Sequence, residues 1–143
     1  MKKSYFVIIV VVVLFITTGC LSFGNKRLVC KQNASGVDVA FNIDFKGNMI
    51  DKMDFSYDVD MSSRDQATLD LIAKQDFCSI VKSNMKDYAD AFIGCNQNIE
   101  NKHLVVKAEL DVDKLAGNAI SKKTSPSAAK KELEKQQYTC SYN

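Results

Sequence analysis

The stretch Val37–Met61, VDVAFNIDFKGNMIDKMDFSYDVDM, decides the fold. Its first half alternates. Val37, Val39, Phe41, Ile43 and Phe45 point one way, and Asp38, Ala40, Asn42 and Asp44 point the other. After Lys46-Gly47-Asn48 the alternation resumes, with Met53, Phe55, Tyr57, Val59 and Met61 on one face and Lys52, Asp54, Ser56, Asp58 and Asp60 on the other. Successive side chains of a strand leave on opposite sides, so two such runs around a short glycine-containing turn predict a β-hairpin. One apolar and one polar face predict an antiparallel sheet covered on one side only.

The flanking sequence supplies the rest of the sheet and its cover. Upstream, Lys26–Gln32 is a strand candidate, closed by a turn at Asn33-Ala34-Ser35-Gly36. The same residues spell a glycosylation sequon, which is read here only as part of the turn. Downstream, Ser62 and Ser63 stand where a helix would be capped, with Asp65 in its first turn. Leu69, Ile72, Ala73, Phe77, Ile80, Val81 and Tyr88 recur at helical spacing, predicting one long helix to about residue 88. Residues 91–97 and 103–111 read as two further strands joined through Asn98–Lys102, and residues 117–124 as a mobile loop. Ser125-Pro126 opens a short helix to about Gln137, with serine as cap and proline at the first helical position. Residues 138–142 form a last short strand. The predicted class is α+β: an antiparallel sheet of five to six strands, a long helix on one face and a short C-terminal helix, in the order βββαββαβ behind a signal helix.

The 143 residues suffice for one domain. A content of 46% apolar and 25% charged residues excludes disorder or a coiled coil as an overall description. The formal charge of +2 comes from Lys2 and Lys3, because acids and bases balance in the remainder. No nucleic-acid partner is therefore expected.

The N-terminus has a basic start, an unbroken apolar run from Phe6 to Ile16, and Thr17-Thr18-Gly19-Cys20. This is the three-part pattern of an export signal. With Cys20 directly after small residues, it resembles the lipobox of bacterial lipoproteins. That resemblance implies cleavage before Cys20, a diacylglyceryl group on its thiol and an extracytoplasmic, membrane-anchored product. The expected division is a signal at 1–19, a tether at 20–25 and a domain at 26–143. The alternative is an uncleaved anchor, for which residues 5–24 would have to span the membrane with Lys26-Arg27 as the stop. The element order, Phe45-Lys46-Gly47-Asn48, the mid-chain amphipathic helix, Gly94 and Leu110-Asp111-Val112-Asp113 also resemble the YehR-like family of uncharacterised bacterial lipoproteins. That family implies an envelope lipoprotein and no established activity.

Cys30, Cys78, Cys95 and Cys140 remain, an even number in an exported chain, and predict two disulfides. Cys78–Cys95 is preferred because a strand returning along the helix would bring the two level. Cys30–Cys140 would then clasp the first and last strands. The spacing contains neither the close pairs of a zinc site nor C-x-x-C, so no metal, cofactor or redox role is expected.

Little else promises chemistry. His103 is the one histidine, with no nucleophile or acid spaced to serve it. Asp38, Asp44, Asp54, Asp58 and Asp60 share the polar sheet face, where a calcium ion or a basic partner would be conceivable and a solvated face is the simpler reading. Asp111 and Asp113 read the same way. Lys122, Lys123, Lys130, Lys131 and Lys135 would suit an anionic membrane, but Glu132 and Glu134 interrupt them. Tyr138 and Tyr142 read as core cover. No catalytic residue is assigned. The expectation is a non-catalytic binding or interaction module with an unidentified protein or small-molecule ligand. The alternative is an envelope assembly factor working through the open face or an edge of the sheet. A pocket of convergent polar groups would point back to an enzyme.

Overall fold

A computed structural model describes residues 24–115 and 119–143, except the side chains of residues 86 and 87. The expected signal 1–19, Cys20, the first part of the tether and Gly117 lie outside the described residues. Six strands form one antiparallel sheet: β1 (Lys26–Ala34), β2 (Val37–Lys46), β3 (Met49–Asp60), β4 (Phe92–Glu100), β5 (His103–Leu110) and β6 (Thr139–Tyr142). Their order across the sheet is β4-β5-β3-β2-β1-β6. The helices are α1 (Gln66–Ala73), α2 (Phe77–Asn84) and α3 (Pro126–Lys135), with a 3₁₀ segment at Lys86–Ala91. Among the described residues, no helix is long and apolar enough to cross a membrane.

Three hairpins set the register, each with a two-residue loop. Ser35-Gly36 and Asn101-Lys102 have both residues at positive φ, the geometry that matches the twist of the flanking strands. In the β2–β3 loop only Gly47 does. Phe41, Ile43 and Phe45 of β2 are buried with Met53 and Phe55 of β3. Asp44 faces Lys52 and Phe45 faces Ile50, so Asp51 is an extra residue on β3. This bulge turns Ile50 inward, where it is 1% exposed.

The long helix expected from Ser62 to Tyr88 is two short ones. Ser62 does not cap a helix; its N–H donates to Asp60 Oδ1 at 2.8 Å. Asp65 caps α1, accepting from the Thr68 N–H at 2.7 Å. Asp76 caps α2, accepting from the Ser79 N–H at 3.0 Å. Between them the last turn of α1 tightens, with the Lys74 and Gln75 N–H groups donating to the Leu71 and Ile72 carbonyls, and the Gln75 carbonyl accepts from the Gln97 side chain on β4. The expected mobile loop also needs correction. Ile120 is fully buried, and the Ile50 N–H donates to the Lys122 carbonyl at 2.9 Å. An apolar side chain seated in the core ties this segment down. The short helix α3 does start at Ser125 and Pro126, with Ser125 Oγ accepting from the Ala128 N–H, and it buries Ala129 and Leu133.

Two disulfides cross the sheet and its cover. Cys30 and Cys140 are register partners on β1 and β6, bonded at 2.00 Å and buried. Cys78 on α2 is bonded to Cys95 on β4 at 2.06 Å.

Candidate functional site

The two faces of the sheet carry two different concavities. The larger, about 660 Å³, lies on the polar face, where Asn42, Asp54, Ser56, Asn96, Lys107 and Glu109 meet across four strands. Asp54 and Glu109 are direct register partners. These convergent polar groups stand on an open sheet floor, with the disulfide-bonded Cys95 also in the lining.

The second concavity, about 420 Å³, is a groove between the helix pair and the covered face. Phe55, Tyr57, Val59, Met61 and Leu104 come from the sheet. Ile72, Phe77, Ile80, Val81 and Met85 come from the helical side, and Asn84 adds an amide. Tyr57, Val59, Met61, Ile72 and Phe77 are only partly buried, and Ile80 is 46% exposed. A volume of 300–1,000 Å³ with a mostly apolar lining and a few polar groups suits a small molecule. Apolar surface that stays wet here is stabilised by about 25 cal/mol for each Å² a ligand covers. The polar basin, with its mainly polar lining, gains less from such coverage.

The groove has a fixed wall. The first N–H groups of a helix have no partner inside it. In α2 these are met from outside: Gln97 Oε1 accepts from the Phe77 N–H at 2.7 Å and the Cys78 N–H at 3.2 Å. Gln97 Nε2 donates to the Gln75 carbonyl at 2.6 Å. Ser79 Oγ donates to Asp76 Oδ2 at 2.6 Å, and this bond is the largest reason that the Asp76 carboxyl titrates below its usual range. The Cys78–Cys95 bond adds a covalent tie at the same end. Helix α2 therefore stands over the sheet without closing on it.

The acidic face divides into small local pairs. Arg27 holds Asp44 through two bonds, at 2.6 and 2.8 Å, which lower the carboxyl and raise the guanidinium. Asp38 accepts from Asn33 at 2.6 Å. His103 Nδ1 lies 2.7 Å from Asp58 Oδ1, which raises the imidazole above its ordinary value; both side chains are over 40% exposed. Asp111 accepts from the Asp113 N–H and Asp113 from Lys122. Among the described residues, no three His, Cys, Asp or Glu side chains are grouped to hold a metal. On α3, Lys130 pairs with Glu134 and lies 5.5 Å from the ring centre of Tyr142, and Lys135 pairs with Glu132. Tyr138 packs edge-on to Phe41, its half-buried hydroxyl pushed upward by desolvation.

The alternation in the sequence places Tyr57, Val59 and Met61 on the covered face but carries no sign that the cover leaves a groove. It did not single out Gln97 or Asp76. Asp76 three residues before Ser79 is a capping signal that was available; nothing in the spacing marks Gln97.

No family model matches the chain, and no curated protein matches it. It is similar to an NMR structure of a protein from Streptococcus pneumoniae TIGR4, at 14% identity and a TM-score of 0.45, over 81% of this chain and 84% of that one. Nothing about function follows from a likeness at that level.

Proposed function

We propose that this protein is a non-catalytic binding module that takes a small ligand with an apolar body, outside the cytoplasm, while a lipid on Cys20 holds it at the membrane. The observation that carries the binding reading is the apolar groove under α2, open and with its wall pinned by Gln97, Asp76 and a disulfide. A preformed site spares the ligand the cost of ordering its walls. Met61 and Met85 supply flexible, polarizable side chains that adapt to the ligand's shape. The location is supported by the lipobox-type leader and by two disulfides, which persist in oxidising compartments.

All described elements and both disulfides lie within residues 24–143, so a chain beginning at Leu21 keeps the whole fold. An environment-sensitive apolar fluorophore added to it is expected to brighten saturably at one site. Val59→Trp, which fills the groove from the sheet side, is expected to abolish this, while Lys107→Ala in the polar basin leaves it unchanged. Equal binding to the parent and the Val59→Trp protein, with both folded by circular dichroism, refutes the reading.

A further inference from the structure

The two disulfides sit in opposite environments. Cys30 is 0% and Cys140 8% exposed, inside the sheet between α3 and the core. Cys95 is exposed and Cys78 only partly buried. A surface cleft of about 260 Å³, lined also by Asp76, Ser79, Lys82 and Ile93, lies over that second pair. The bond is thus open to a reagent from outside, and Ile93, 57% exposed beside it, offers that reagent an apolar contact.

The surroundings also set a direction for its cleavage. Cys95 is the more open of the two residues. Cys78, the second residue of the eight-residue helix α2, is the more covered of the two. Attack at the more open Cys95, with departure of Cys78, is the route that access favours.

We propose that Cys78–Cys95 is a thiol-exchange site, and that an external dithiol opens it while Cys30–Cys140 stays intact. A thiolate of the dithiol attacks Cys95 Sγ. A new S–S bond forms, the Cys95–Cys78 bond breaks, and its electron pair leaves on Cys78 Sγ, which takes a proton from water. The second thiol of the dithiol, as a thiolate, then attacks the first sulfur and expels the Cys95 thiolate, which is protonated in turn. The protein gains two thiols, and the dithiol becomes a disulfide. Helix α2 is then held at its N-terminal end by Gln97 and its own cap alone. The wall of the groove loosens. This last consequence for binding, though not the exchange itself, rests on the groove being a ligand site.

The test uses the full chain in its membrane. It is treated with dithiothreitol without denaturant, alkylated and digested for mass spectrometry, and parallel samples are followed by hydrogen exchange. Cys78 and Cys95 are expected to be alkylated at least about tenfold faster than Cys30 and Cys140, in keeping with the difference in access. Amides of α2 are expected to exchange faster after reduction, while those of β2 and β3 are unchanged. Equal labelling of all four cysteines overturns the proposal, as does labelling of Cys78 and Cys95 only after denaturation. So does reduction that leaves α2 exchange unaltered. None of these readouts uses a groove ligand, so a failed fluorophore titration and a failed exchange test are separate results.

Discussion

At the scale of single residues, the polar face behaves as separate local contacts whose strength is set by exposure. The His103–Asp58 pair is the one with a reporter near neutral pH. Its hydrogen bond to a carboxylate raises the imidazole above 6.5, so the folded state binds that proton more tightly than the unfolded chain does. The pair's contribution to stability is therefore complete below the unfolded value and is lost as pH rises through the folded one. The expected result is an NMR midpoint for His103 above 6.5, falling toward the ordinary value in Asp58→Asn. An unchanged midpoint in that variant would remove Asp58 as the cause. Lys102 makes a second residue-scale case. It holds φ 62° at the second position of a two-residue hairpin loop, where glycine is unstrained. Lys102→Gly is expected to raise stability by about 0.5–1 kcal/mol in urea unfolding, relief of the strain outweighing the added freedom of the unfolded chain.

At the scale of elements, the alternation in Val37–Met61 carried the hairpin because a one-residue slip would expose every apolar side chain at once. The helix break was illegible for the opposite reason. Leu69, Ile72, Phe77 and Val81 keep helical spacing straight through Lys74-Gln75-Asp76, because both short helices turn the same face to the sheet. At the break the Gln75 carbonyl accepts from a glutamine 22 residues further along the chain, a tertiary contact that periodicity does not record. The groove was hidden likewise: its residues spell a core face, and only the height at which α2 is held leaves that face partly open. Gln97 thus becomes the informative substitution. Gln97→Ala removes three bonds to the start of α2 and is expected to cost about 1–3 kcal/mol. Amides of α2 are expected to exchange faster than those of β5 in the variant; uniform loosening of the whole domain would show that Gln97 supports the fold at large rather than this wall.

For the whole molecule, the disulfides differ in reach. In the chain-entropy model a loop of about 100 residues is worth about 4.7 kcal/mol and one of about 15 about 3 kcal/mol. Their separations here are 110 and 17 residues. Replacing Cys30 and Cys140 together by alanine is expected to lower the urea midpoint more than replacing Cys78 and Cys95, and the reverse order would place the chief constraint in the helical cover. The proposed lipid anchor is a separate matter. Two acyl chains are needed for stable anchoring, and a diacylglyceryl group brings both. Cys20→Ser is expected to move the protein from the detergent phase to the aqueous phase on phase partitioning; retention in detergent would favour the uncleaved anchor.

The clasp between the first and last strands has a mechanical consequence. Because β1 and β6 lie side by side, with the Asn143 N–H bonded to the Arg27 carbonyl, a stretching force enters and leaves the body at neighbouring points. Tension can peel only the few residues outside Cys30 and Cys140 before it runs through the sulfur bridge. The intervening residues 31–139 are shielded from the pull. Severing that bridge alone, with Cys78–Cys95 still closing a loop of 17 positions, would release roughly 300–340 Å of hidden length at about 3.3–3.6 Å per residue, the increment a single-molecule trace would record.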